Sequence, residues 1–449
     1  MSISVIRRFS PLVCAIVMTS FSATLLAETD PDRIFQEIQQ MKQRIQELEH
    51  QLTETRKVGD KTLQKNEETQ ADHQETEKAA STAMVTAAND EPEASPDGIK
   101  LGGAVRLQYS NERYREGNRE RGGDFDFDIF RINLDGKVGG VLLSAEWRWF
   151  QYMNAVHHAW IGYDFGEGRQ GQIGIQKVPF GVLPYNSHNF FFSSNYYVGL
   201  EDDYDAGIKY LHKEGPWDLR FGFYFNDEQG GADGFVDNRE DRYSYDVVGY
   251  RAAGEGTFDQ PGNMLAENNT WNARVAYQLS AMDGMQIELG ISAQYGLLHS
   301  GSEKAGNHDA YAIHLVGDYG PWNLQLQAAS YEYDVNDGAD LMAVGAYSFY
   351  DTIPAEADSY TANLSYSLPV SWGPVTNLTF YNDYSLITNK SAGLDDTWMN
   401  VLGMALSAGG LYTYFDFISA ENQPFIGGSM GSDSNKTEHR FNINLGYYF

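Results

Sequence analysis

The chain predicts an all-β fold, a 16-stranded antiparallel transmembrane β-barrel with a short N-terminal coiled-coil helix. Three observations carry this. From Ile99 onward, apolar and polar residues alternate with a period of two, in strands of about ten residues. Tight connections bearing glycine or proline alternate with long acidic ones. Beyond the N-terminus no run of about 18 apolar residues occurs, which excludes a helical membrane protein. Composition agrees: the 449 residues include 29 Tyr, 24 Phe and 45 Gly but a single Cys. With 32 basic against 62 acidic residues the net charge is -30, so a nucleic-acid partner is not expected.

The elements follow in order. Arg7 and Arg8 precede the apolar stretch Leu12 to Leu26, with the small Ala27 after it, so residues 1–27 read as a secretory signal peptide. A retained signal anchor is the alternative. Cys14 lies in this stretch, and Val13 spoils a lipoprotein-type cleavage box; removal leaves a chain without thiols or disulfides. Residues 28–56 carry a heptad seam at Ile34, Ile38, Met41, Ile45, Leu48 and Leu52. About three heptads are marginal alone, so this coiled coil gains its stability by oligomerising or, alternatively, by lying on another surface. Residues 57–98 are too polar to bury a core and read as a flexible linker.

The barrel domain is expected at 99–449. Trp217, Leu219, Phe221, Phe223 and Phe225 alternate with Asp218, Arg220, Gly222, Tyr224 and Asn226. The same pattern runs through Trp271–Leu279 and Tyr360–Leu368. A soluble sandwich also alternates, but these strands are long and numerous, and their apolar faces are tipped with aromatics. Closure in lipid pairs every backbone polar group. Tight turns are expected at Gly139-Gly140, Gly215-Pro216, Asp283-Gly284, Gly320-Pro321, Gly373-Pro374 and Gly409-Gly410. The phrase Gly-Pro-Trp recurs at 215–217 and 320–322, as one hairpin solution used twice. Of 17 candidate strands, Leu341 to Tyr350 sits between loop-like stretches and is assigned to an external loop, leaving an even 16. The last strand alternates Phe441, Ile443, Leu445, Tyr447 and Phe449 to the chain end, the form of an assembly signal for the barrel-insertion machinery.

The third external connection, Val178 to Asp203, is unusually aromatic, with Phe190-Phe191-Phe192 and Tyr196-Tyr197. Packed on the inner wall it would constrict the lumen, with Lys177, Tyr185, Asn186, His188 and Asn189 in the narrow part. An external lid or a subunit-contact loop is the alternative.

Gly174-Ile175-Gln176-Lys177-Val178-Pro179-Phe180-Gly181, preceded by Ala159-Trp160-Ile161-Gly162-Tyr163, resembles the stretch before the third loop of the phosphate/polyphosphate-selective porin-like family of Gram-negative outer-membrane porins. The resemblance implies a 16-stranded trimeric barrel in the outer membrane, in some members with a periplasmic N-terminal coiled coil. Lys177 matches a basic position of the motif. Phe130-Arg131-Ile132 stands where phosphate-binding members commonly carry paired arginines.

With the apolar face outward, Arg106, Arg131, Arg148, Lys209, Arg220, Arg274, Glu146 and Glu288 are expected to line the channel. A basic ladder facing acids would orient polar solutes; the alternative is that these charges pair and only hold the wall's shape. No catalytic residue, cofactor or metal site is expected. His157-His158 lie adjacent on a strand and should point to opposite faces, and no H-E-x-x-H occurs. The expected function is passive diffusion of small hydrophilic solutes and ions by a homotrimer contacting outer-membrane lipids. A phosphate- or anion-selective channel and an envelope-tethering or adhesion protein are the alternatives.

Overall fold

A computed structural model describes residues 97–449, Asp283 excepted. The expected signal peptide, the coiled coil and nearly all of the linker lie outside the described residues. The strands are β1 (Gly98–Glu112), β2 (Asp124–Val138), β3 (Val141–Trp149), β4 (Asn154–Gly166), β5 (Arg169–Lys177), β6 (Tyr204–Glu214), β7 (Trp217–Asp227), β8 (Asp246–Tyr250), β9 (Ala266–Met282) and β10 (Met285–His299). They continue as β11 (Lys304–Tyr319), β12 (Trp322–Val335), β13 (Leu341–Ala346), β14 (Phe349–Pro354), β15 (Glu356–Trp372), β16 (Val375–Thr388), β17 (Thr397–Ala408), β18 (Leu411–Glu421) and β19 (Glu438–Tyr448).

Sixteen of them close an antiparallel barrel in which β1 pairs with both β2 and β19. Ala104 stands opposite Arg131 on one side and Tyr448 on the other. Phe449 completes the seam: its N–H and C=O exchange hydrogen bonds of 3.0 and 2.9 Å with Gly103. The wall is two-faced. Ile291, Ile313 and Trp271 are 60, 63 and 65% exposed on the outside, while Arg274 and Asn363 on the inner face are 1 and 2% exposed. In the last strand Phe441, Tyr447 and Phe449 face outward and Asn442 and Asn444 are buried.

Among the described residues the tight turns lie at the expected glycines, with one more at Glu167-Gly168. The repeated Gly-Pro-Trp phrase does build the same corner twice. Gly215 and Gly320 take φ of 56° and 57°, left-handed values that suit glycine. Pro216 and Pro321 each accept a 2.8 Å hydrogen bond from the next wall strand, from Gln278 and Ser367. Trp217 and Trp322 meet Tyr277 and Tyr366 edge-on at 4.6 and 4.7 Å, a favourable aromatic geometry.

Two features differ from the sequence reading. Several strands exceed ten residues, and β9 and β15 reach 17. In β9 the ladder slips at Asn269 and Thr270 and then continues beyond the apolar pattern through the polar Asn268 and Glu267, so pairing extends past the alternating stretch. His157 and His158 also fail to diverge. Opposite β3 the register slips, Glu146 facing His158 and Trp147 facing Val156. This bulge leaves His157 unpaired in the ladder and brings the two Nδ1 atoms to 2.8 Å.

Residues 341–354 stay out of the barrel, as parity required, yet they are not irregular. β13 is the centre of a separate three-stranded sheet, paired with β14 on one side and β8 on the other. Val247, Met342, Val344 and Ile353 are buried there, within a core that also takes in Tyr196, Tyr197, Tyr331 and Tyr347.

Candidate functional site: the third connection and the inner wall

Residues 178–203 connect β5 to β6, and their partners lie on strands across the barrel. Successive residues meet successive strands. Gly181 N–H donates to Ser292 Oγ of β10 at 3.0 Å, and its carbonyl accepts from Arg274 Nε of β9 at 2.8 Å. Val182 N–H donates to Gln327 Oε1 of β12 at 2.8 Å. Asn186 meets Thr361 and Asn363 of β15, both at 2.9 Å. Asp383 of β16 accepts from the backbone N–H of His188 at 2.8 Å and of Asn189 at 2.9 Å, from Asn189 Nδ2 at 2.9 Å, and lies 2.8 Å from His188 Nδ1. Phe190 then reaches Tyr414 of β18 and lies under Arg106 of β1, whose guanidinium is 4.4 Å from the ring centre. Phe192 lies under Arg440 of β19. The segment therefore follows the wall.

Gly181 shows why this path needs its sequence. Its φ is +59°, and a Cβ there would stand 2.0 Å from Gln327 Oε1. The aromatics pack mainly on other connections: Phe191 meets Tyr347 and Phe425 edge-on at 5.9 and 5.6 Å, and Tyr196 meets Tyr245 at 5.4 Å. Sequence reasoning expected the wall alone as their partner. It missed these rings because they come from the segments that carry β8, β13 and β14 and from the 422–437 connection.

Lys177 Nζ pairs with Asp202 at 2.7 Å, sits 4.6 Å over the Tyr185 ring and donates to Pro184 O at 3.2 Å. Burial pushes the Glu201 carboxyl up to about 7, despite hydrogen bonds from Ser193 Oγ and Asn186 N–H. Burial works to lower the His188 pKa, but the hydrogen bond and charge of Asp383 outweigh it and hold the imidazole above its ordinary value.

The charged residues of the wall lie in pairs. Arg106 meets Asp128 at 3.0 Å. Arg131 and Arg148 stand opposite each other in the β2–β3 ladder and share Glu146, at 3.1 and 2.5 Å. Arg220 meets Asp218 at 2.9 Å, and Arg274 meets Glu288 at 2.5 Å. Lys209 Nζ, wholly buried, donates to Lys177 O at 2.8 Å. The structure thus brings Lys177, Tyr185, Asn186, His188 and Asn189 together with the wall. Their partners Ser292, Gln327, Thr361 and Asn363 carried no sequence signal beyond an inward phase.

No family model matches the chain, and no curated relative does. Solved structures do. Salmonella typhi OmpF shares 10% identity over 79% of this chain and 98% of its own, with a TM-score of 0.50. Vibrio cholerae OmpT shares 14% over 80% of this chain and 100% of its own, with a TM-score of 0.47. An anion-selective porin from Comamonas acidovorans shares 14% over 78% and 99%, again at 0.47. The likeness to OmpF establishes the fold, a closed 16-stranded barrel of the outer-membrane porin type.

Proposed function

We propose that the chain is a porin of a Gram-negative outer membrane, giving passive diffusion of small hydrophilic solutes and ions through a lumen narrowed by residues 178–203. The observation that carries this reading is the two-faced closed wall, with exposed Trp, Ile and Leu outside and polar side chains within. Such a wall is at home in lipid and encloses a polar interior. The loop contacts from β9 round to β1 support the narrowing. In this reading Arg106, Arg131, Arg148, Lys209, Arg220, Arg274, Glu146 and Glu288 set the lumen's electrostatics and perform no chemistry. Phe441 to Phe449 serve insertion by the barrel-assembly machinery, the mature chain forms trimers among outer-membrane lipids, and the coiled coil lies in the periplasm.

Phosphate selectivity draws less support. Arg106 is matched by Asp128, and Arg131 and Arg148 share Glu146, so three positive charges meet two negative ones and the ladder keeps one uncompensated charge rather than a cluster. Purified protein in planar bilayers should give stepwise conductance, and a salt gradient should give a reversal potential that phosphate leaves nearly unchanged. Block by low phosphate would favour the selective channel. Absence of any conductance, with loss of cell-wall attachment on deleting residues 31–52, would overturn the porin reading in favour of envelope tethering.

A further inference from the structure

Where the third connection rejoins the wall, three acidic residues converge that the channel reading does not use. Asp203 ends that connection, Asp205 follows in β6, and Asp246 opens β8. Each is buried, and each offers a carboxylate oxygen within 4.8 Å of the others'. Two oxygens bound to one calcium ion at about 2.4 Å can stand at most ~4.8 Å apart, so this spacing suits a single hard cation.

A second observation points the same way. Gln176 is 0% exposed, and neither its Oε1 nor its Nε2 has a hydrogen-bond partner. It stands directly opposite Asp205 in the β5–β6 ladder. Opposite residues of an antiparallel pair project to the same side with their Cβ atoms about 5 Å apart, which aims the Gln176 amide at the cluster. Asp203 Oδ1 and Asp205 Oδ1 are likewise without a hydrogen-bond partner. Buried polar oxygens are costly to leave unmatched, and an oxygen-seeking cation would satisfy Gln176 Oε1, Asp203 Oδ1 and Asp205 Oδ1 together.

The surrounding charge is unbalanced. Asp227, Glu228 and Glu267 adjoin the cluster, and the nearby cations Arg239 and Arg242 are taken up by Asp227, Glu228 and Asp246. Burial, reinforced by Asp246, Glu267 and Glu228, pushes the Asp203 carboxyl well above its ordinary range. The cluster therefore needs protons or a cation to neutralise it.

We propose that Asp203, Asp205 and Asp246, with the Gln176 carbonyl oxygen, bind a divalent cation of the calcium class. The ion ties two external connections, 178–203 and 228–265, to the wall. Histidine and thiol ligands are not part of the set, and all-oxygen coordination selects calcium over transition metals.

The test uses the full chain, purified in detergent and freed of lipopolysaccharide, which itself binds divalent cations. Terbium titration is followed by luminescence excited through tyrosine, and calcium affinity is read by competition. The expected result is one saturable site displaced by calcium. Gln176→Met keeps every charge and should weaken it by roughly 10-fold or more; Asp203→Asn with Asp246→Asn should abolish it. Heat-modifiable gel mobility checks that each variant is folded. A wild-type protein without saturable binding would overturn the proposal, as would unchanged affinity in folded Gln176→Met. Conductance is a separate readout, so either reading can fail alone.

Discussion

Replacing Asp383 with alanine should release the third connection from the wall while leaving the barrel closed. The carboxylate gathers the backbone N–H groups of His188 and Asn189, the Asn189 amide and the His188 ring, all at 2.8 to 2.9 Å. An orphaned buried donor costs about 1–3 kcal/mol, so four at the low end give about 4 kcal/mol. At about 1.4 kcal/mol per decade, the ratio of docked to undocked loop falls roughly a thousandfold. The β15–β16–β17 ladder does not use this side chain, so the wall should persist. Two assays read the outcome. Single-channel recordings should show higher conductance with more open-state noise. A Ser187→Cys reporter should react with maleimide much faster in the Asp383→Ala background. Asp383→Asn keeps an acceptor and should fall between. The pH dependence has a definite sign. His188 has a raised pKa in the folded protein, so its charge adds fully to docking below about pH 6.5 and ceases to add as pH rises through the folded value. Wild-type noise should therefore grow on alkalinisation, and Asp383→Asn should flatten that response. Wild-type conductance and labelling rate in a folded Asp383→Ala protein would refute the reasoning.

Glu146→Gln removes the carboxylate shared by Arg131 and Arg148, which then face each other uncompensated across the β2–β3 ladder. The reversal potential should shift toward anions, and stability should fall by about 3–5 kcal/mol, read by thermal unfolding. Deleting Phe449 removes the hydrogen-bond pair with Gly103 and the exposed terminal aromatic; the yield of heat-modifiable protein in membranes should drop several-fold, with refolding in detergent less affected. Burial pushes the Asp351 carboxyl up to about 7, despite hydrogen bonds from Ser429 Oγ and Thr352 N–H. A raised acid favours its protonated form in the fold, so its contribution is full at low pH and is lost as pH rises through 7. Once the intrinsic base-catalysed rate is divided out, protection from hydrogen exchange at residues 426–432 should fall as pH rises toward 7 in the wild type and show no such pH dependence in Asp351→Asn.

Much of the barrel was legible because its determinants are local. Period-two alternation says which side chain faces outward, as at Ile291 and Trp271 against Ser292 and Asn272. Glycine at a left-handed φ marks each corner, as at Gly215 and Gly320. Strand parity placed residues 341–350 outside the wall. These signals lie within a few residues of one another, and a closed sheet makes them strict, since every wall strand pairs on both sides. The aromatic segment 178–203 also stood out, because so many rings in one connection demand burial.

What the chain alone left undecided is who meets whom across long separations. Asp383 lies 195 positions from His188, and Gln327 lies 145 from Val182. Nothing in the spacing pairs them; closing the barrel does. The register between neighbouring strands matched the basic ladder to Glu146 and Asp128, and a one-residue bulge turned His157 beside His158 against the alternation. Asp203, Asp205 and Asp246 come together because the segment entering β8 reaches the start of β6, where Ser244 Oγ accepts from Tyr204 N–H at 3.1 Å, a contact between segments that carry no motif. Local chemistry thus determined the strands, their faces and their turns, whereas the interior depends on distances that exist only once the sheet has curled shut.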